Sequence, residues 1–167
     1  MTMKGTLDIE FIISVLVFMT TITIVSISII NNFPKLHQEI FSQDLKAKSF
    51  QISELLMFDR GEPTNWDTLP VTSVKRLGLS NGTKYDISPE KVSALQGYCT
   101  AGNYAGVKDL LGLDFRNDVS IEVRDIDLGT VVLDCRPAAV SEIRAQATIT
   151  RFVLMANESM KMTVAVL

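Results

Sequence analysis

The sequence is poor in the residues on which most catalytic and metal sites depend. It contains one histidine, His37, and two cysteines, Cys99 and Cys135, in 167 residues. A lone histidine cannot form a histidine cluster, and the two cysteines have no neighbouring ligand for a compact zinc site. A glycine-rich phosphate loop, a nucleophile elbow and an HExxH pattern are all missing. We therefore expect no enzyme, no metal site and no cofactor.

Charge is equally uninformative about a nucleic-acid or calcium partner. The net charge is −3, and no run of lysine or arginine and no aromatic platform occurs. Nucleic-acid binding is therefore not expected. The acids around Asp125 and Asp127 lack the spacing of an EF-hand, which favours a solvated turn over a calcium loop.

One long apolar segment stands out against this composition. From Phe11 to Ile30, about twenty residues pass without a charge, and as a helix they span about 30 Å, the thickness of a bilayer's hydrocarbon core. The segment therefore predicts a transmembrane helix. Its only polar side chains are hydroxyls, which can bond back to helix carbonyls and are tolerated in a membrane; they are Ser14, Thr20, Thr21, Thr23, Ser26 and Ser28.

A cleaved secretory signal peptide is a poor explanation of this segment. The apolar run ends in Ile29-Ile30-Asn31-Asn32-Phe33-Pro34, which contains no small-residue cleavage site. Lys4 places weak positive charge on the N-terminal side, although Lys35 lies on the other flank. We therefore expect a single-pass protein with a cytoplasmic N-terminus and an extracellular head.

Two carboxylates, Asp8 and Glu10, come directly before the apolar run. A carboxylate beside hydrocarbon is costly unless it is paired, neutralised or drawn to the interface. A simple anchor does not need that cost, whereas a subunit that docks its acid onto a neighbour does.

The residues Lys4-Gly5 and Thr6-Leu7-Asp8-Ile9-Glu10, followed by the apolar run, resemble an archaeal type IV pilin-like protein with a class III signal peptide. The resemblance implies that a prepilin peptidase cuts between Gly5 and Thr6. It also implies that Glu10 is the glutamate that defines type IV pilins. In a filament, Glu10 would then lie near the Thr6 ammonium of a neighbouring subunit. Such an ion pair sets register, because misplacing either partner in an apolar bundle is costly.

Three positions depart from the commonest archaeal pattern, namely Thr6, Asp8 and Ser14. They favour a minor or divergent pilin-like protein of a surface filament over a major pilin. The resemblance implies as partners a prepilin peptidase, other pilin subunits, a pilus assembly ATPase, a platform membrane protein and membrane lipid. Two alternatives stay open: an ordinary signal anchor with interfacial acids, and an unassembled membrane-anchored surface protein whose head binds another envelope component.

The predicted fold is α+β and type IV pilin-like, with a long N-terminal helix packed against a C-terminal antiparallel sheet. We expect a leader at 1–5, a helix at 6–58 whose part 11–30 crosses the membrane, and an extracellular α+β head at 59–167. Apolar residues of the second half of the helix recur at spacings of three or four and are expected to face the head; they are Leu36, Ile40, Phe41, Leu45, Ile52, Leu55 and Leu56.

Local signals predict the boundaries of this helix and of the shorter ones. Pro34 should kink or interrupt the long helix, and Gly61 should close it. Ser88 and Pro89 should start a helix that runs to about Tyr98. The other expectations are a core position for Trp66, a strand at Lys75–Leu79, and a helix at Tyr104–Leu111 that stops at Gly112.

Strands are expected to dominate the C-terminal half of the head, because apolar and polar residues alternate there. A hairpin should join the last two strands through Asn157-Glu158-Ser159. The four predicted strands are Val119–Arg124, Thr130–Cys135, Gln146–Ala156 and Met160–Leu167.

The cysteines and two sequons are possible sites of covalent modification. Cys99 and Cys135 either form a disulfide, worth roughly 3–4 kcal/mol in an extracellular head, or remain two buried thiols. The sequence does not decide between them. Asn81-Gly82-Thr83 and Asn157-Glu158-Ser159 fall in expected turns. The resemblance makes Asn81 and Asn157 candidate glycosylation sites, and chance occurrence of each sequon is the alternative.

Overall fold

The computed structural model describes residues 9–137 and 146–167, with the backbone alone at 32–38. The predicted leader and the cleavage position between Gly5 and Thr6 lie outside the described residues. The chain divides into two compact units, Met1–Phe41 and Ser42–Leu167.

The described residues form an α+β fold with an N-terminal helix and a four-stranded antiparallel sheet, as predicted. The sheet order is β2-β1-β4-β3. The helices are α1 (Ile9–Phe58), α2 (Pro89–Thr100) and α3 (Tyr104–Leu110), with short 3-10 turns at Trp66–Thr68 and Val71–Ser73. The strands are β1 (Val119–Asp125), β2 (Val131–Cys135), β3 (Ala147–Met155) and β4 (Glu158–Val166).

Helix α1 ends at Phe58, where the sequence predicts it to end. The backbone remains helical at position 34, so Pro34 does not interrupt α1. A proline removes a single helical hydrogen bond, and the turns before and after it keep theirs. The kink that the sequence also allowed there stays a prediction. Gly61 does not close the helix either, because it lies beyond the helix end. Its φ of 79° and its contact with Trp66 explain the glycine: a Cβ there would lie 2.3 Å from the indole Cδ1.

The part of α1 that belongs to the second unit buries one face. Leu45, Ile52 and Leu56 are buried as predicted, and Leu55 is half-buried. Ile40 and Phe41 are exposed, contrary to the prediction, and Leu45 is the first of the described side chains of α1 that is buried. Leu36 is among the residues whose side chains are not described.

The core of the second unit lies between this helix and the inner face of the sheet. Alternate residues of β1 and β4 are buried, as the period of a strand requires. Trp66 is fully buried, as predicted, and its Nε1–H donates to the Gly78 carbonyl at 2.9 Å. The buried strand residues are Val119, Ile121, Val123, Met160, Met162, Val164 and Val166.

The segment Lys75–Leu79 is not a strand, contrary to prediction. Within it, only Arg76 forms a bridge, with Glu62. Two backbone groups near its end bond elsewhere: Leu79 N–H donates to the Leu56 carbonyl at 2.8 Å, and the Gly78 carbonyl accepts from Trp66. These groups therefore serve the end of α1 and the buried indole instead of a neighbouring strand.

The start of α2 agrees with the sequence. Ser88 is the N-cap, its Oγ accepts from the Lys91 N–H at 3.3 Å, and Pro89 is the first helical residue. The helix extends two residues past the predicted end at Tyr98. Helix α3 ends one residue early, and Gly112 follows it with a φ of 70°.

The β3–β4 hairpin turns through Ala156 and Asn157, whose φ angles are 51° and 69°. The predicted link Asn157-Glu158-Ser159 is therefore wrong, because Glu158 and Ser159 already pair within β4. A two-residue turn with both φ angles positive matches the twist of the flanking strands, and asparagine tolerates that conformation well.

Cys99 and Cys135 are joined as a disulfide with a Cα–Cα distance of 5.3 Å. The bond links the last turn of α2 to the end of β2. Gln96, one turn earlier in α2, accepts a hydrogen bond from the Asp134 N–H at 2.6 Å. Helix α2 therefore covers the outer edge of strand β2.

Candidate membrane segment and head surfaces

The segment Ile9–Asn31 of α1 is long and apolar enough to cross a membrane. Its mean hydropathy is 2.4, and 0% of it is buried within the protein. Among the described residues it is the single helix of this kind. A surface helix of a soluble domain buries one apolar side, whereas this segment is apolar on all sides and is not buried by any of the residues that the structure describes. It is compatible with a single-pass membrane anchor.

The hydroxyl groups of Ser14, Thr20, Thr21 and Thr23 bond to the helix that carries them. Ser14 donates to the Glu10 carbonyl at 2.8 Å, and Thr21 donates to the Val17 carbonyl at 2.8 Å. Thr20 and Thr23 make the same type of bond one turn back. No water is needed to satisfy these groups, so they cost little in hydrocarbon.

Glu10 lies in the first turn of α1 and is exposed. The unpaired N–H groups of a helix N-terminus favour a carboxylate at that position. The structure therefore leaves the Glu10 side chain accessible to a partner. Gly5 and Thr6, the other residues of the predicted docking and processing site, lie outside the described residues.

In the head, polar contacts hold α1 against strand β3. Ser49 Oγ donates to the Ala147 carbonyl at 2.8 Å. Arg151 forms an ion pair with Glu54 at 2.7 Å, and its guanidinium lies 4.7 Å from the centre of the Phe50 ring. These contacts fix how this part of α1 is rotated about its axis and how far it is shifted along the sheet. Apolar contacts alone would specify that position less well.

A buried lysine joins the end of α1 to helix α2. Lys91 Nζ donates to the carbonyls of Arg60 and Ser80 at 2.6 and 3.0 Å. Burial lowers the pKa of Lys91, and the nearby Arg60 charge lowers it further. Both acceptors are backbone groups, so the lysine serves the fold of this corner.

The acidic turn between β1 and β2 uses its carboxylate internally. Asp125 Oδ1 accepts from the N–H groups of Asp127 and Leu128 at 2.7 and 2.8 Å. Across 9–137 and 146–167, no group of three or more His, Cys, Asp or Glu side chains is placed to hold a metal ion.

The two sequons, far apart in sequence, lie together in the structure. Asn81 and Asn157 are both exposed and both line a shallow cavity of about 500 Å³. Asn81 Oδ1 accepts from the Thr83 N–H at 2.8 Å, and its Nδ2 donates to Asp86. Asn157 occupies the hairpin turn. Sequence reasoning identified both residues but could not show that they are neighbours.

A half-open groove of about 310 Å³ runs beside α1, and sequence reasoning missed it. Ile52, Leu111 and Leu113 are buried and form its apolar floor. The local sequence gives one indication of this groove, the leucines on either side of Gly112. In the sequence, Gly112 indicates only the end of a helix. The groove is lined by Lys48, Gln51, Ile52, Leu55, Leu111, Gly112 and Leu113.

The solvent face of the sheet carries an exposed aromatic side chain, which sequence reasoning also missed. Phe152 on β3 is 70% exposed. Lys161 on β4 lies opposite it, and Arg124 on β1 lies opposite Lys161. The alternation of β3 marks this position as outward, which is where a polar residue is usual.

No protein-family model, no curated protein and no solved structure matches this chain.

Proposed function

We propose that this protein is a structural subunit, of the minor pilin or pilin-like kind, in a type IV pilus-like surface filament. The observation that carries the proposal is the Ile9–Asn31 helix, which is apolar all round, unburied in its own chain and headed by Glu10 in its first turn. A membrane anchor accounts for the apolar residues. Docking between subunits accounts for the acid as well.

The disulfide supports an orientation in which the head lies outside the cytoplasm. Disulfides persist in oxidising compartments and are rare in the cytosol. The Cys99–Cys135 bond therefore agrees with an extracellular head, with Lys4 and the N-terminus on the cytoplasmic side.

In the proposed mechanism, a prepilin peptidase cuts between Gly5 and Thr6, and the apolar helices leave the bilayer to pack together in a filament core. Lipid tails are about as apolar as the helices, so this exchange supplies little hydrophobic driving force. An assembly ATPase and a platform membrane protein therefore have to drive extraction. Glu10 pairs with the new Thr6 ammonium of the neighbouring subunit and sets the register of packing.

The first experiment is intact-mass measurement and N-terminal sequencing of the protein isolated from its own membrane or surface fraction. We expect the chain to start at Thr6. A chain that starts at Met1 or Thr2 contradicts prepilin processing and leaves an uncleaved anchor.

A matched pair of substitutions then tests docking. Glu10→Gln should be processed normally but enter filaments poorly, because the neighbour's ammonium loses its partner. Glu39→Gln, an exposed acid of α1 outside the apolar segment, should assemble as the unsubstituted chain does. Equal assembly of both variants would remove the docking role of Glu10.

One observation favours a second candidate, an unassembled anchored protein whose head binds another envelope component. Phe152 and the groove beside α1 are exposed features of the head, and such features mark contact surfaces. Under this alternative, Glu10→Gln and Gly5→Val should leave the location and binding of the protein unchanged.

A further inference from the structure

Phe152 is presented by strand β3 as an outward-facing knob. Arg151 reaches Ser53 and Glu54 of α1, and Val153 is buried, so Phe152 between them faces away from the helix. Leu154, two residues on, is exposed on the same face. Phe152 is 70% exposed and Leu154 44%, so Phe152 projects furthest from the sheet.

The groove beside α1 is suited to receive an aromatic side chain. Its floor is apolar and its volume is about 310 Å³. An apolar cavity of about 150 Å³ is enough to hold benzene, so a phenyl ring fits with room for its neighbours. Lys48, the one charged lining residue, is paired with Asp44 at 3.0 Å and adds little net charge.

The surroundings of the knob and of the groove are complementary in charge. Phe152 has the exposed cation Lys161 beside it. Arg124, next in the same row of the sheet, is paired with Glu122 at 3.0 Å, so Lys161 carries the positive charge of this surface. The groove has the exposed acids Asp109 and Asp114 close in sequence to its Leu111 and Leu113 walls. Of the two cations of the same segment, Lys108 is paired with Asp118 at 3.2 Å and Arg116 lies over the Phe115 ring. Complementary charges favour an encounter of the two surfaces and disfavour like-with-like pairing.

The knob and the groove lie at the same level along α1 but in different layers of the head. The Arg151–Glu54 ion pair places this part of β3 at the level of the turn of α1 that also supplies Leu55 to the groove. Phe152 lies on the solvent side of the sheet, whereas the groove lies on the helix side. A contact between two different surfaces of identical chains is heterologous, and it repeats in a row instead of closing as a dimer.

We propose that the heads of adjacent copies join side by side, with Phe152 of one copy seated in the Lys48–Leu55 and Leu111–Leu113 groove of the next. This inference rests on the proposed filament function and adds a second, head-to-head contact to the packing of the apolar helices. The contact needs no further partner, since each copy carries both halves.

The test places a photo-reactive benzophenone amino acid at position 152 of the full chain in its own membrane or filament. Copies with and without ¹⁵N label are mixed, so that adducts between copies are recognised by mass. We expect adducts from position 152 to residues 48–55 or 111–113 of another copy. The same amino acid at Leu128, an exposed apolar residue in the turn between β1 and β2, should not reach the groove.

The benzophenone at Leu16 of the apolar helix separates this inference from the function on which it rests. Adducts between copies at position 16 but not at 152 overturn the head contact and leave helix assembly intact. Absence of adducts between copies at both positions overturns both proposals. Adducts from position 152 to lipid or to a different protein would also contradict the proposal that Phe152 binds in the groove of a second copy.

A charge exchange gives an independent test of the same contact. With the benzophenone at 152, Lys161→Glu should lower the yield of adducts to the groove about fivefold, because it places a negative charge against Asp114. Adding Asp114→Lys should restore the yield. A loss that Asp114→Lys does not restore, or no loss at all, contradicts the proposed pairing of the two surfaces.

Discussion

Two stretches of one helix, Ile9–Asn31 and Ser42–Phe58, show how differently similar residues are used. Both are helical, and both combine apolar residues with serine or threonine. The first stretch is unburied all round, whereas the second buries Leu45, Ile52 and Leu56 against the head. A helix with one apolar face packs that face against its own domain. A helix that is apolar on all sides needs lipid or other protein around it.

The hydroxyl groups sharpen the contrast. Among the described residues, the Ser14 hydroxyl donates to its own helix, at the Glu10 carbonyl. Ser49 bonds to its own helix at the Leu45 carbonyl and also to the Ala147 carbonyl of β3. The same residue type therefore makes a segment tolerable to lipid in one stretch and holds a tertiary contact in the other.

The largest effect should come from the disulfide, which acts on the head and not on the apolar stretch. Replacing Cys99 and Cys135 together by alanine should lower the free energy of unfolding of the head by about 4 kcal/mol, the loop-entropy value for a separation of 36 residues. Guanidinium unfolding of the full chain in micelles, followed by fluorescence of the buried Trp66, measures it. An unchanged midpoint would mean that the bond adds nothing to the head.

The next effect compares one leucine from each stretch. Leu56→Ala should destabilise the head by about 3 kcal/mol, because Leu56 is fully buried and its loss leaves a cavity. Leu16→Ala, at an exposed position of the apolar stretch, should leave the same Trp66 transition in place. If both variants shifted the Trp66 unfolding transition equally, the two stretches of α1 would not differ in their contribution to the stability of the head.

The smallest effect compares one serine from each stretch. Ser49→Ala should cost about 1–2 kcal/mol, because the Ala147 carbonyl loses the hydrogen bond from Ser49. Ser14→Ala should not move the head transition, because its bond lies within the apolar stretch. Unfolding curves of both variants, recorded under one set of conditions, decide the matter. A shift for Ser14→Ala as large as that for Ser49→Ala would couple the two stretches.

Predictions from local signals agree well with the structure. The end of α1 at Phe58, the Ser88 cap of α2 and the alternation of β1 each depend on residues a few positions apart. Periods of 3.6 and 2 are set by the backbone itself, and capping is set by one side chain and the nearest N–H groups. Such features can be read from a single sequence.

Two of the wrong predictions involve residues whose contacts are made to distant parts of the chain. Lys75–Leu79 has the composition of a strand, but its hydrogen bonds are spread over Glu62, the end of α1, the Trp66 indole and Ser88 instead of following one neighbouring strand. Gly61 is of the residue type that often ends a helix, but a glycine is needed there because the Trp66 indole packs against its backbone. In both cases a tertiary contact overrode the local preference.

The candidate site divides in the same way. The sequence by itself determined the apolar stretch, the acid at its head, both sequons and the α+β pattern, since each is a property of neighbouring residues. Only the tertiary structure decided that Cys99 meets Cys135, that Asn81 lies near Asn157, and that a groove opens beside α1. Those meetings depend on closing loops of tens of residues, and many closures are compatible with the same local pattern until the buried side chains select one.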